Sequence, residues 1–292
     1  MRLIIINNFM KRILYLTILV VALLFSCGAP KQDQEKASGK LFIIGGGNRT
    51  DSMMNELVDL ARLRAEGYIY ILPMASSVPD SSILWAKEDF NVTGIKKVFG
   101  YNFLPGVTPP KAQLDSLRNA KLIYICGGDQ SRFMSVVLNS TIMDAVHQAY
   151  KNGSVIAGTS AGAAVMSKKM ITGNQKKHPE TDAGFVTIES DNIEITRGLG
   201  FLTDVIIDQH FIKRQRLNRL IAASIENPDE LCVGIDESTA IIVDGDYATV
   251  TGIHQVIVIK NSGKIKNLKD GLLGTKGLQL SVYLPGQKFK LR

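Results

Sequence analysis

A chain of 292 residues, 45% hydrophobic and 21% charged, can bury a sizeable core and has neither a disordered nor a collagen-like composition. Its formal charge of +7 falls to about +4 without Arg2, Lys11 and Arg12 of the N-terminal segment. No run of lysines and arginines interleaved with aromatics occurs, which argues against a nucleic-acid partner.

Lys11 and Arg12 precede an apolar run over 13–25 that closes on Ser26, Cys27 and Gly28. The run is shorter than the roughly 20 residues a membrane-spanning helix needs. A basic patch, a short apolar segment and a Leu-Phe-Ser-Cys ending resemble a bacterial lipoprotein signal. The expectation is a signal over 1–26, with Met10 a more natural start than Met1. Cys27 then carries lipid, and that lipid is the protein's sole hold on a membrane, in the periplasm or at the cell surface. Residues 27–40 are polar and read as a flexible tether, leaving 41–292 as one α/β domain.

Within that domain, short apolar runs predict strands at 41–44, 68–72, 95–99, 122–126 and 154–157. Between them, patterning predicts helices at 50–64, 83–90, 110–118 and 141–151. Such alternation belongs to a largely parallel sheet covered by helices on both faces, with ligand groups beyond the carboxyl ends of its strands. Glycine clusters at 45–47, 127–128 and 158–162 each follow one of these strands, so one shared cleft is expected. Residues 170–194 read as a polar, irregular insertion or mobile rim. A strand at 205–207, a helix at 212–225 and a strand at 231–235 follow. Runs at 239–243 and 247–250 flank Asp244-Gly245-Asp246 as a hairpin, with 256–259 continuing its antiparallel edge and 278–284 a last strand. Cys126 and Cys232 sit in apolar runs and read as buried free thiols. No ligand cluster suggests a metal site or a cofactor.

The chemistry concentrates at Gly158-Thr159-Ser160-Ala161-Gly162-Ala163, after a strand and before an apolar helical start. A serine between small residues at such a turn exposes a nucleophilic hydroxyl, so Ser160 is the candidate nucleophile. A hydroxyl needs a base, and the base an orienting partner. Of His147, His178, His210 and His254, only His210 lies just beyond a buried strand. For the orienting carboxylate, Asp208 is directed elsewhere if the strand period holds, spacing favours Glu237 after the 231–235 strand, and pattern alone does not separate it from Asp236. Backbone amides of Ala161 and of the Gly127-Gly128 turn, Gly128 above all, are candidate oxyanion donors. Gly45-Gly46-Gly47-Asn48-Arg49 has neither dinucleotide-binding spacing nor a Walker lysine.

Taken in order, Gly45-Gly46-Gly47, Gly127-Gly128-Asp129-Gln130, the Ser160 turn, Asp208-Gln209-His210-Phe211 with Arg214, Arg216 and Arg219, and Gly234-Ile235-Asp236-Glu237 resemble a cyanophycinase. That family lies within the serine peptidases that also contain aspartyl dipeptidases, with a class I glutamine-amidotransferase-like fold. The resemblance runs from about residue 40 to 290. It implies Ser160, His210 and Glu237 as nucleophile, base and orienting acid, with Gln130, Asp208, Arg214, Arg216 and Arg219 around the substrate. It implies an exopeptidase that releases β-aspartyl-arginine dipeptides from arginine-branched poly-aspartate, and a homodimer. Asn218 and Asp129 depart from the family pattern. The alternatives are a related aspartyl or isoaspartyl dipeptidase acting on short peptides, and a non-catalytic binding lipoprotein that keeps the cleft.

Overall fold

The computed structural model describes residues 39–180, 184–263, 266–267 and 271–291. The signal, Cys27 and the tether as far as residue 38 lie outside the described residues. The first half of the domain runs β1 (Lys40–Ile44), α1 (Asp51–Leu60), β2 (Ile69–Leu72), α2 (Pro79–Asn91), β3 (Val98–Gly100) and α3 (Lys111–Asn119). It continues with β4 (Leu122–Ile125), α4 (Gln130–Val137), α5 (Thr141–Lys151), β5 (Val155–Thr159) and the short α6 (Ala161–Ala164). Then follow β6 (Lys169–Gln175), β7 (Ile193–Arg197), β8 (Val205–Gln209), α7 (Leu217–Glu226), β9 (Leu231–Ile235), β10 (Thr239–Asp244) and β11 (Tyr247–Gly252). The last elements are β12 (Val256–Asn261), β13 (Lys266–Asn267), β14 (Leu273–Gly274), β15 (Leu278–Tyr283) and β16 (Lys288–Lys290).

Strand periodicity explains the layering. Leu41 and Ile43 of β1 join one apolar cluster, with α3, α4 and α5, while Phe42 and Ile44 join another, with α1 and α2. Both faces are dry, which is why β1, β2, β4 and β5 are apolar almost throughout instead of alternating. The strands order as β16-β11-β10-β1-β5-β4-β2-β3, with β1, β5, β4, β2 and β3 parallel and β10, β11 and β16 antiparallel. The chain walks outward from β1 to β3 with helices on one face. It walks back from β4 to β5 with helices on the other, as right-handed crossovers require. The walk leaves the carboxyl ends of β1, β4 and β5 side by side.

A second sheet, β15-β12-β9-β8, packs beside the first over a shared core. Its β8 and β9 are parallel, and the link from β9 to β10 joins the two sheets. Three sequence expectations change here. Residues 256–259 extend this second sheet as part of β12 and do not continue the β10–β11 edge. The 170–194 stretch is bounded by a hairpin, β6 against β7, because Met170, Ile171 and Ile193 are apolar enough to be buried. The helix expected from 212 begins only at Leu217. Asp236 Oδ1 captures the N–H groups of Ile212 (3.1 Å) and Lys213 (2.9 Å), and Gln215 is left-handed at φ 52, so the first five residues form turns. Helix α4 was not foreseen, although Asp129 caps it by accepting from Ser131 N at 2.7 Å and Arg132 N at 3.1 Å.

Candidate active site

Strand β5 ends at Thr159, and the chain enters α6 through Ser160 at φ 54, ψ −111. A non-glycine residue there costs about 1–3 kcal/mol and persists only where its surroundings hold it. Here Ser160 N donates to Ile44 O at 3.0 Å, and the glycines of the turn let backbone pack on backbone. A Cβ on Gly158 would lie 2.1 Å from Gly162 O. Ser160 Oγ is thereby fixed 2.9 Å from His210 Nε2.

His210 lies one residue beyond β8, also left-handed at φ 48, with its N–H on Gly45 O at 2.7 Å. Its Nδ1 is 2.6 Å from Glu237 Oε1. A carboxylate only accepts, so Nδ1 carries the proton and Nε2 is left to accept from the Ser160 hydroxyl. The ring fits because residue 46 is glycine: at φ 103, a Cβ there would meet His210 Cε1 at 2.3 Å. Glu237 comes from the link between β9 and β10, tied by Ser238 N to Gly46 O at 2.8 Å. Burial holds the His210 imidazole below the ordinary histidine value. The Glu237 hydrogen bond pulls the other way, and the positive charges of Arg214 and Arg216 add to the lowering.

The rival residues are occupied elsewhere. Asp236 is buried and holds the 212–213 backbone, facing His254 across 3.6 Å. Asp208, 1% exposed, is closed on Arg219, whose Nε donates at 2.7 Å and whose Nη2 reaches the other oxygen. His147 binds Leu199 O at 2.9 Å and His178 pairs with Glu189 at 2.7 Å. Cys126 and Cys232 are buried and free, and burial pushes the Cys126 thiol up to about 12. Among the described residues no group of three or more His, Cys, Asp or Glu side chains gathers where a metal could bind.

Two cavities flank this centre. A pocket of about 310 Å³ contains Ser160 and His210 and is walled by Arg49, Trp85, Asp89 and Tyr124. The Gly127–Gly128 turn overhangs it, since a Cβ on Gly127 would be 3.3 Å from Ser160 Cβ. The second, of about 1060 Å³, lies between the β6–β7 hairpin and the 213–219 segment. Lys176, Lys213, Arg214, Arg216 and Arg219 line it, against Glu194 as its acid. Of the residues the resemblance puts near substrate, Arg214 is exposed, whereas Arg216 is half-buried, with Nη1 on Gln209 O at 2.6 Å. The Arg216 guanidinium is pushed down to about 10, by burial first and then by Arg219. Gln130 is buried, its Nε2 donating to Ile171 O at 2.9 Å and to Thr172 O, so its amide nitrogen anchors the hairpin. Arg216 precedes α7 as its N-cap, three residues before Arg219, and both guanidinium groups reach Asp208, that of Arg216 at 3.5 Å. Sequence reasoning missed Lys176 and Lys213 in this cavity, and Arg49 beside Ser160; isolated basic residues in loops carry no pattern.

The known proteins this chain is similar to are peptidases and cyanophycinases. The model of peptidase family S51 matches residues 41–251. A cyanophycinase of Nostoc sp. is 32% identical over 200 residues, covering 67% of this chain and 64% of that protein. One from Synechococcus elongatus is 35% identical over 187 residues, covering 62% of this chain and 54% of that protein. The match thus spans less than two thirds of these relatives' length. A solved peptidase from an acI-B1 Actinobacterium superposes with a TM-score of 0.64 at 19% identity, over 88% of this chain and 98% of its own, a likeness of fold. The chain belongs to peptidase family S51.

Proposed function

We propose that this family S51 member is a serine-type exopeptidase acting on aspartyl peptides, with arginine-branched poly-aspartate as the substrate class its relatives' name suggests. The observation that carries the reading is the hydrogen-bond relay from Ser160 Oγ through His210 to Glu237, at 2.9 and 2.6 Å. In the proposed cycle His210 Nε2 takes the Ser160 proton as Oγ attacks the peptide carbonyl. The oxyanion meets the Ala161 and Gly128 amides. The C–N bond breaks as His210 returns the proton to the leaving amine, and water repeats the sequence on the acyl-serine. A neutral imidazole at neutral pH suits this duty, and its burial supports it. The cationic cavity beside the relay supports a substrate rich in carboxylates, which forked guanidinium donors bind well.

Incubating the folded domain with cyanophycin, β-aspartyl-arginine oligomers and α-aspartyl dipeptides, and weighing the products, tests the substrate. Release of β-aspartyl-arginine from the polymer is the expected result. Cleavage of short aspartyl peptides alone would move the protein to the dipeptidase reading. No acylation by a serine-reactive phosphonate would leave a binding lipoprotein. Export and anchoring through Cys27 belong to the same proposal. A palmitate analogue should label the parent and spare Cys27→Ser, and equal labelling would refute the anchor. The proposed homodimer is checked by light scattering.

A further inference from the structure

The loop that makes room for His210 and Glu237 is held by three carbonyl contacts of unlike kind. Gly45 O accepts from His210 N at 2.7 Å, and Gly46 O from Ser238 N at 2.8 Å. These two are backbone bonds to the segments that carry the relay. The third, Gly47 O, accepts instead from a side chain, Arg49 Nη1, at 2.7 Å. Gly47 sits at φ 70 with its Cα against Glu237, where a Cβ would lie 2.7 Å from Glu237 Cβ. Whatever holds Gly47 therefore sets the wall against which the orienting carboxylate rests.

Arg49 is itself held. Its Nε and Nη2 both reach Asp89 Oδ2, at 3.1 and 2.6 Å, and Asp89 belongs to α2, a helix on the outer face of the parallel sheet. Both side chains are only about a quarter exposed, 25% and 24%, so this pair is not a screened surface contact. A planar fork can bind a carboxylate with two nitrogens and still present the third to a carbonyl, which a lysine ammonium on a flexible stem cannot copy. We infer that Arg49, locked by Asp89, is a positioning residue that fixes the Gly46–Gly47 loop and so sets the geometry of the Glu237–His210 contact.

The inference rests on the serine-hydrolase reading, so its test uses a readout that separates the two. The folded domain and its variants are acylated with a fluorescent fluorophosphonate, and the second-order labelling rate is followed from pH 5 to 9, with melting temperature measured alongside. Labelling of the parent and its loss in Ser160→Ala test the hydrolase reading alone. Arg49→Lys keeps a cation beside Asp89 but loses the fixed third contact. It should label about 10- to 100-fold more slowly, the scale expected for sub-ångström misplacement of a reacting group, with a melting temperature near the parent's. Asp89→Asn keeps an acceptor for Arg49 and should fall between the two. The pH profile should also shift in Arg49→Lys, because a loosened Glu237 no longer raises the His210 pKa to the same degree. Parental labelling rate and profile in Arg49→Lys, in a parent that does label, would overturn the inference. Should Arg49→Lys melt early, slowed labelling by the still-folded Asp89→Asn supports the inference and parental labelling overturns it.

Discussion

The pocket around Ser160 and the cationic cavity beside it are built on opposite principles. In the first, position is fixed by backbone: two left-handed non-glycine residues, glycines where side chains would collide, and carbonyls matched to amides. In the second, side chains from a hairpin, a turn and the start of α7 project charge into about 1060 Å³, the exposed Lys176, Lys213 and Arg214 among them. The contrast teaches that a relay tolerates almost no displacement, whereas recognition of carboxylates needs only cations within reach. Damage to the first should appear in turnover on every substrate. Damage to the second should appear only on charged ones.

The largest effects should come from the relay. Ser160→Ala and His210→Ala should each lower kcat by roughly a million-fold, since members of one proton-transfer unit fail together. Glu237→Gln should lose on the order of 10⁴-fold through a misassigned tautomer. Asp236→Asn should be milder, and a fully active Glu237→Gln enzyme would return the orienting role to another acid. Steady-state kinetics on a peptide and on an uncharged ester decide this.

A closed ion pair lies between the two regions and belongs fully to neither. Arg219→Ala leaves Asp208, 1% exposed, with only Arg216 Nη1 at 3.5 Å and Gln209 N at 2.7 Å, and should cost about 3 kcal/mol in urea unfolding. Arg219→Met with Asp208→Leu should recover most of that stability. If it does, and activity on uncharged ester survives, the pair is a strut under the cavity and no substrate ligand. Next in size, Gly46→Ala should slow every substrate by about 100-fold, because the His210 ring must move to admit a Cβ. A parental rate in that variant would erase the distinction drawn between the two regions.

Smaller again are the arginines that face the cavity. Arg214 is exposed and Arg216 is tied to Gln209 O, so at neutral pH Arg214→Ala should act on binding, while Arg216→Ala should also loosen the 209–216 turn. Each should lower kcat/KM on a β-aspartyl-arginine peptide by about 10-fold or somewhat more, given 1.5–3 kcal/mol for a charge-assisted bond. Rates on an uncharged ester should hold for Arg214→Ala. Equal losses on both substrates would show that the cavity's cations serve the relay and not selection.

What the sequence disclosed follows the same division. Strand ends followed by glycines are local patterns, so the parallel sheet and the Ser160 turn could be read directly. Which of Glu237 and Asp236 meets His210 could not, because both follow β9 and differ only in which way a three-residue link turns. The hairpin, the turns over 211–216 and the closure of Asp208 on Arg219 were hidden for a related reason. The first two depend on a partner far away in sequence, Gln130 for the hairpin and Asp236 for the turns, and the third, only 11 residues apart, depends on how those turns aim α7. The lengths of apolar runs gave no sign that residues 256–259 would pair with β9 in preference to extending the β10–β11 edge.

The last and smallest effect measures how far the cavity's charge reaches into the relay. Proton transfer from Ser160 needs neutral His210, so activity should fall as pH drops through the folded pKa of that imidazole. Burial places this pKa below the ordinary histidine value, so the acid limb of kcat/KM should lie below the usual histidine range, with a plateau at neutral pH. Arg214 and Arg216 also push it down. Arg214→Ala therefore removes a charge that favours the neutral ring, and the limb should move to higher pH. Raised salt should move it the same way, since an exposed guanidinium is screened over about 10 Å at 0.1 M ionic strength. Glu237→Gln removes the opposing influence, so in its residual activity the limb should move to lower pH. An uncharged ester keeps the substrate's own titration out of the profile. If Arg214→Ala and salt both leave the limb in place, the two regions are electrically separate. The low pKa would then be the work of burial within the Ser160 pocket.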